Sequence, residues 1–144
     1  MAKIQKKVPS KYSSQQLYDL VSDVANYPQF VPACICGEVL AELPAESAVK
    51  AKLSFKKSGV TQTFTTKNTL TPGKSIQMDL VDGPFKSLHG FWTFEATADG
   101  CLVGVELDFE FSSMMYKMMF SSVFQKVITD LLNAFVVRAE ELYG

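Results

Sequence analysis

Hydrophobic and polar positions alternate with a period of two through the middle of the chain, over residues 38–111. Such alternation is typical of strands that bury one face. The clearest strand covers residues 101–111, whose odd-numbered positions are all apolar. Clusters of turn residues interrupt the alternation, and the pattern therefore predicts a meander of six antiparallel strands, with turns at Ser58-Gly59, 71–74, 82–84 and Asp99-Gly100.

The segment before this meander predicts one strand and one helix. Residues 3–9 alternate, carry lysines and end in proline, as expected of a short edge strand. Ser13 and Gln16 form a capping-box pattern, which predicts a helix whose apolar positions continue to Val24. Residues 26–28 should end this helix, because proline disfavours helical geometry in the residue before it. A second short turn or helix then carries Phe30.

A long helix is predicted from the caps Ser112-Ser113 to about Leu142. At 1.5 Å per residue this helix would be about 40 Å long, enough to cross a whole sheet. The element order predicts an α+β fold in which the helix lies against a curved antiparallel sheet. The apolar positions of the helix recur every three or four residues, at Phe120, Phe124, Val127, Ile128, Leu131, Phe135, Ala139 and Leu142.

Size and composition indicate one globular domain over residues 1–144, since 47% of the residues are hydrophobic and 20% are charged. No apolar run approaches the roughly 18 residues of a membrane span. The lysines at the start of the chain are not followed by the apolar stretch of a secretory signal. We therefore expect a cytoplasmic protein.

The net charge of −1 conceals an uneven distribution. Residues 1–74 hold ten lysines against five acidic residues, whereas residues 75–144 hold four basic residues against ten acidic ones. Only Arg138 is an arginine, the residue that supplies most bidentate contacts to phosphates and bases, so the composition does not indicate dedicated RNA binding, and DNA is not an expected partner either. A strand face with Lys50, Lys52 and Lys56 would either meet phosphates or an anionic membrane weakly, or simply protect an exposed strand.

Candidate catalytic groups are few. The single histidine, His89, falls on the outward face of its predicted strand, and Glu106, Asp108 and Glu110 share the outward face of theirs. No glycine-rich loop has the form of a phosphate-binding motif. Three cysteines and one histidine, spread along the chain, do not supply the four ligands of a zinc site. We expect no catalytic residues, no metal and no enzymatic cofactor.

The large apolar side chains indicate a binding function instead. Eleven Phe, five Tyr and one Trp lie largely on predicted inner faces, and a helix closing over a bent sheet commonly leaves a ligand cavity. A fully packed core is the alternative. Methionine adapts its shape to flexible ligands or partners, and four methionines cluster at the start of the long helix: Met114, Met115, Met118 and Met119.

The strand over residues 60–70 adds polar groups to this cavity if Phe64 faces inward. In that case Gln62, Thr66 and Asn68 face inward as well, because side chains alternate along a strand. They would orient a ligand headgroup by hydrogen bonds. A bulge in the strand would reverse the alternation and leave them at the surface.

Three segments of the chain resemble one known family. Residues 27–32 are similar to its Y-P-x-F-x-P segment, residues 82–92 to its D-G-P-F-x-x-L-x-G-x-W segment, and residues 134–144 to its closing helix. The family is that of the coenzyme Q-binding START-like proteins and their bacterial relatives, the ribosome association toxin (RatA) group. The resemblance implies a helix-grip fold, in which a seven-stranded antiparallel sheet wraps around the C-terminal helix and a hydrophobic tunnel. At residue 37 this chain departs from the resemblance, because Gly37 stands where relatives often have Ser and has no side chain for a polar role.

The resemblance implies two alternative functions. One is non-catalytic binding of ubiquinone or a similar isoprenoid lipid, as a carrier that supports respiration and contacts the inner membrane transiently. The other is binding to the large ribosomal subunit, which blocks association of the subunits. The family is also named for polyketide cyclases, but the inward faces offer no convincing acid or base. The expected cavity residues are Tyr27, Phe30, Phe55, Phe64, Met78, Phe85, Leu88, Trp92, Phe109, Met118 and Phe124.

Overall fold

The computed structural model describes residues 2–57 and 59–144, so Ser58 of the predicted 58–59 turn lies outside the described residues. Along these residues the elements follow the predicted order. The short turn or helix predicted at Phe30 is a 3₁₀ helix that ends one residue earlier, at Gln29, and a further 3₁₀ helix at Pro44–Glu46 is not predicted. The elements are β1 (Ala2–Ser10), α1 (Ser14–Ser22), η1 (Val24–Gln29), β2 (Cys34–Leu43), η2 (Pro44–Glu46), β3 (Ala48–Lys57), β4 (Val60–Thr71), β5 (Ser75–Asp82), β6 (Phe85–Thr97), β7 (Gly100–Phe111) and α2 (Met114–Tyr143).

The described strands form one seven-stranded antiparallel sheet in the order β1-β7-β6-β5-β4-β3-β2. The predicted meander is confirmed, because each strand from β2 to β6 pairs with the next strand in the sequence. β1 pairs with β7 and lies at one edge, as its lysines indicate. β2 forms the other edge and begins before the predicted start at residue 38, because Cys34 and Cys36 pair with β3 across a bulge.

The capping box at the start of α1 is confirmed. The Ser13 hydroxyl accepts a hydrogen bond from the backbone N–H of Gln16, and the Gln16 side chain accepts one from the backbone N–H of Ser13. The helix ends at Ser22, earlier than predicted. The chain continues as the 3₁₀ helix η1 with Pro28 inside it, because a short 3₁₀ segment tolerates the proline that an α-helix interior does not.

The helix α2 packs its apolar stripe against the sheet, and Ser113 caps it by accepting a hydrogen bond from the backbone N–H of Tyr116. In length and hydropathy α2 reaches the minimum for a membrane span, but the core helix of a soluble protein meets the same criterion. The stripe prediction fails only at Leu142, which is half exposed. The last turn directs Tyr143 toward Tyr12 instead, with ring centroids 5.8 Å apart.

Glycines allow close backbone contact at two points in the fold. A Cβ on Gly37 would lie 2.1 Å from the carbonyl oxygen of Val24, so β2 passes directly against η1. A Cβ on Gly90 would lie 2.1 Å from the carbonyl oxygen of Glu106, where β6 and β7 approach each other. No side chain fits at residue 37 without a backbone shift. This close contact is sufficient to explain the glycine, and a role in ligand binding is not needed.

Candidate ligand-binding site

A small apolar cavity lies between the inner face of the sheet and α2. Its walls come from the sheet, from Ile128 and Leu131 of α2, and from Val21 and Val24 of the α1–η1 segment. The volume of the cavity is about 50 Å³, whereas pockets for drug-sized ligands measure about 300–1,000 Å³. The aromatic side chains therefore close most of the space, and a large ligand requires the walls to move.

Six of the predicted site residues line this cavity. Tyr27 reaches it from η1 and Phe124 from α2, while the others stand on the inner face of the sheet. The lone tryptophan packs edge to face on the ring of Phe135, with centroids 5.4 Å apart. The cavity-lining residues of the predicted set are Tyr27, Phe64, Met78, Leu88, Trp92 and Phe124.

Three other predicted residues, Phe55, Phe85 and Phe109, do not line the cavity as predicted but belong to the aromatic cluster around Phe64 and Phe124. Phe55 stacks on Phe64 with ring centroids 6.1 Å apart. Phe85 and Phe109 each meet Phe124 edge to face, at 5.1 Å and 5.0 Å. These residues support the wall from behind, because none of the three reaches the cavity surface.

Phe30 lies outside the cavity, in a contact between two of the family-like segments. Its ring packs against Phe135 at 5.8 Å, and the guanidinium of Arg138 lies 5.3 Å from its centroid. Tyr27 meets Phe135 as well, at 5.2 Å. The first and last of these segments, far apart in sequence, therefore join η1 to α2.

The prediction that Met118 lines the cavity is wrong, because its side chain is 79% exposed. Successive helix residues are rotated by about 100°, so Met118 lies about 200° around α2 from the buried Phe120. Met114, Met115 and Met119 are also exposed. These four residues, the methionine cluster, cover the outer side of the first turns of α2.

The inward orientation of the polar positions on β4 is confirmed. Gln62 pairs with Phe55 and Thr66 with Ala51, so these side chains share the inner face. A bulge exists opposite Thr65 and Thr66, but the extra residue, Val81, lies on β5 and the alternation of β4 continues. Thr66 and Asn68 both line the cavity. The Thr66 hydroxyl donates a hydrogen bond of 2.7 Å to the Asn68 side-chain oxygen.

An open groove of about 500 Å³ lies between the start of β4 and the first turns of α2. Gln62 and Phe120 line this groove, whereas Phe64 and Phe124, the next inward positions on the same two elements, line the cavity. The rings of Phe64 and Phe124 meet edge to face with centroids 6.1 Å apart. This aromatic contact stands between the groove and the cavity.

The turn at Asp82-Gly83-Pro84 supports this contact. Gly83 has a φ of +150°, and a Cβ there would lie 2.8 Å from the Cβ of Phe64. Pro84 lines the groove, and the following Phe85 meets Phe64 edge to face at 6.1 Å. The turn motif therefore holds the backbone against Phe64, which agrees with the expectation that it shapes a turn.

The ionisable groups are not arranged for acid–base chemistry in the cavity. Burial raises the pKa of Tyr27 far above its ordinary value, and its hydroxyl donates to the backbone oxygen of Val21. His89 lies on the outer face, with Nδ1 2.6 Å from the Asp79 carboxylate. Burial by itself would raise the pKa of the Asp79 carboxyl, but the hydrogen bonds from His89 and Gln77 outweigh burial and lower this pKa. Within the described residues, no three His, Cys, Asp or Glu side chains come together as a metal site.

Some cavity residues were not predicted from the sequence. Val21, Val24, Ile128 and Leu131 have helical apolar spacing, which indicates burial but does not distinguish a cavity wall from a packed contact. The groove beside Gln62 has no sequence signal, because it depends on the distance between β4 and α2.

A long helix that closes an apolar cavity against a seven-stranded antiparallel sheet defines the helix-grip class of fold. A START superfamily protein from Mycobacterium smegmatis shares this fold, with a TM-score of 0.81 and 23% identity over 97% of this chain and 98% of that one. The predicted fold class is therefore confirmed.

Residues 10–136 match the family described as polyketide cyclase / dehydrase and lipid transport, and the chain belongs to this family. It is 41% identical to the ribosome association toxin RatA of Vibrio cholerae serotype O1, over 100% of this chain and 99% of that protein. It is 28% identical to the mitochondrial coenzyme Q-binding protein COQ10 homolog B of Xenopus laevis, over 92% of this chain and 56% of that protein. The resemblance found in the sequence is thus confirmed.

Proposed function

We propose that this protein binds an isoprenoid lipid, most simply a quinone such as ubiquinone, as a non-catalytic carrier. The observation that carries the proposal is the apolar cavity under α2, which continues toward an open groove past the contact of Phe64 with Phe124. A relative named for coenzyme Q binding and a family described by lipid transport support the choice of ligand.

The chemistry of the walls suits an isoprenoid tail. Burying a CH₂ group is worth about 0.8 kcal/mol, so a five-carbon isoprenoid unit gains about 4 kcal/mol when fully buried. The Thr66 hydroxyl already donates a hydrogen bond to the Asn68 side-chain oxygen at the cavity wall, so a tail packed against that hydrogen bond does not break it. Part of this gain is spent on opening the cavity from its present volume of about 50 Å³.

A carrier fits the cavity better than a cyclase does. Acid–base catalysis requires a group with a pKa near the working pH within reach of the substrate. The ionisable group that lines the cavity is Tyr27, which burial keeps protonated and whose hydroxyl is engaged by Val21. The family description includes cyclases, and the absence of cyclase activity in this chain remains part of the proposal.

The experiment that tests lipid binding is organic extraction of the purified native protein followed by mass spectrometry, with an unrelated protein from the same cells as control. Stoichiometric isoprenoid quinone in the extract is the expected result. A protein that is empty and stays empty after incubation with quinone contradicts the proposal.

We propose that the protein acts in the cytoplasm and contacts the inner membrane transiently. The methionine cluster is exposed on the first turns of α2, the same turns whose Tyr116 and Phe120 line the groove. Met114 lines a second pocket together with Lys86 and Lys117. Exposed apolar side chains flanked by lysines suit a bilayer with anionic lipids. A lipid would then pass between membrane and groove without crossing water.

A second candidate function is binding to the large ribosomal subunit, which the RatA relative at 41% identity favours. Lys50 and Lys52 lie on the outer face of β3, and Lys50 stands opposite Lys67 of β4. Lysines on one outer sheet face would meet ribosomal RNA through phosphate contacts. Such binding should weaken steeply as salt rises.

Co-sedimentation with large subunits across a salt series tests this candidate. We expect the double variant K50E/K52E to bind large subunits more weakly than the wild type. The control K117E reverses a lysine charge on α2, away from the outer face of β3, and should bind as the wild type does. Binding that is insensitive to salt, or equal in the wild type and K50E/K52E, contradicts this use of the β3 face.

A further inference from the structure

Gln62 is a polar side chain buried at the inner end of the groove. It stands on the inner face of β4 opposite Phe55 and is only 5% exposed. The groove passes Pro84 and Phe120 to reach it. One position further inward on the same face, Phe64 begins the cavity wall.

The amide nitrogen Nε2 of Gln62 is buried without a hydrogen-bond partner. Buried donors are nearly always paired, because an unmade hydrogen bond in an apolar environment costs free energy. Neighbouring polar groups are paired: Ser54 bonds Thr63 at 2.8 Å, and Thr66 bonds Asn68 at 2.7 Å. The donor of Gln62 is therefore an unused group at the mouth of the proposed lipid cavity.

The other buried nitrogen without a partner in the described residues is Nε of Arg138, which lies elsewhere. Its guanidinium packs over the ring of Phe30, and its Nη1 lies 3.8 Å from Glu141. Arg138 lines neither the groove nor the cavity. Of these two unpaired nitrogens, a ligand in the groove would therefore reach that of Gln62.

We propose that Gln62 is the headgroup site of the ligand and donates a hydrogen bond from its side-chain amide to a ligand carbonyl oxygen. The inference rests on the proposed lipid binding and adds an orientation to it. The tail enters first between β4 and α2 and displaces the rings of Phe64 and Phe124. The carbonyl-bearing head stops at Gln62, beside the groove.

The surroundings of Gln62 select a neutral headgroup. Among the residues whose side chains are described, none that lines the groove is charged, and Tyr116, Phe120 and Pro84 supply apolar surface. A carboxylate or phosphate would lose its hydration there without a cation to replace it. A quinone carbonyl needs only a donor, so the site fits a quinone, ketone or ester and disfavours a fatty acid or phospholipid.

The variant Q62M tests this assignment, because methionine has nearly the same shape and no amide. Binding is measured by equilibrium dialysis with two probes: decylubiquinone, which carries carbonyls, and squalene, an isoprenoid hydrocarbon without oxygen. We expect Q62M to bind decylubiquinone about 10-fold more weakly, as for one lost hydrogen bond, and to bind squalene as the wild type does. Q125M, on the exposed face of α2, should match the wild type with both probes.

Thermal unfolding of the ligand-free protein supplies a second readout. Since the amide donor is unpaired without ligand, we expect Q62M to unfold at the same temperature as the wild type or higher. A marked fall in the unfolding temperature would assign Gln62 a structural role and overturn the proposal.

The binding outcomes separate the two levels of inference. Equal decylubiquinone binding by Q62M and the wild type overturns the headgroup site and leaves lipid binding intact. An equal loss with both probes also overturns it, because Gln62 would then shape the passage. A wild-type protein that binds neither probe overturns lipid binding and the headgroup site together.

Discussion

The ring of Phe64 on β4 meets the ring of Phe124 on α2 edge to face, with centroids 6.1 Å apart and planes at 75°. Phe85 touches both rings, at 6.1 Å and 5.1 Å. The contact closes the way from the groove at Gln62 to the cavity at Trp92. In the proposed function it acts as a gate that a ligand must open.

The variant F64L should open this gate. Leucine is smaller and loses the edge-to-face contact, so we expect the free energy of unfolding to fall by about 1–3 kcal/mol and decylubiquinone to associate faster. Urea unfolding measures the first effect and stopped-flow fluorescence the second.

The matched control for F64L is F94L, since Phe94 is equally buried but packs on Tyr18, away from the cavity wall. It should lose similar stability without a change in the association rate. Equal association rates in F64L and the wild type would rule out Phe64 as the gate.

Gly90, in the second family-like segment, should be far less tolerant of a side chain than Gly104 on the neighbouring strand. A Cβ on Gly90 meets the backbone oxygen of Glu106 at 2.1 Å, so the G90A variant must shift β7. We expect it to lose at least about 3 kcal/mol, the upper end for overpacking. In G104A the first contact is the Thr93 hydroxyl at 2.7 Å, which moves by side-chain rotation, and the loss should be smaller. Equal losses in urea unfolding would argue against this backbone contact.

Cys34 should react slowly in the native protein. Burial raises the pKa of its thiol to about 11, so little thiolate is present at pH 8. We expect iodoacetamide to label the more exposed Cys36 first and to reach Cys34 and Cys101 only when urea unfolds the chain. Mass spectrometry of the labelled peptides measures the three rates, and a native Cys34 that reacts as fast as Cys36 would contradict its burial.

The same shift in Cys34 makes stability depend on pH in the alkaline range. The thiol has an ordinary pKa of 9.0 and a folded one of about 11. Above pH 9 the unfolded chain releases this proton first and binds fewer protons than the folded chain, so the free energy of unfolding falls as pH rises. The decrease between pH 9 and 11 should be shallower in C34A, and an unchanged slope would contradict the shift.

The methionine cluster should contribute to membrane contact. We expect the double variant M115S/M118S to sediment less with vesicles of phosphatidylglycerol and phosphatidylethanolamine, because serine removes apolar surface. V137S is the matched control, since Val137 is exposed on the same helix but lies away from the groove. Equal sedimentation of M115S/M118S and the wild type would contradict the proposed contact.

The sequence predicts most of this fold because its periodicities are clear. Alternation along residues 101–111 predicts which face of β7 is buried. The apolar stripe from Phe120 to Ala139 does the same for α2. The prediction for Met118 is wrong because it rests on the clustering of methionines in the sequence. Clustering does not show which side of a helix a residue occupies, whereas counting about 100° per residue places Met118 on the side opposite Phe120. The small volume of the cavity depends on how aromatic rings pack, and alternation carries no information on that packing.

The unpaired amide of Gln62 also depends on packing that the sequence does not predict. Its inward direction follows from the alternation of β4, but its lack of a partner depends on which atoms of β3 and α2 come near it. Hydrogen-bond satisfaction of this kind is a property of three-dimensional packing.

The most direct test of the central claim uses Trp92, the single tryptophan of the chain, which is buried in the cavity wall. Quinones quench indole fluorescence at contact distance, so decylubiquinone is titrated into the ligand-free protein and the emission of Trp92 is followed. Lipid binding in this cavity predicts quenching that saturates at one quinone per chain. Emission that stays constant, or falls linearly without saturation as in free tryptophan, would contradict it.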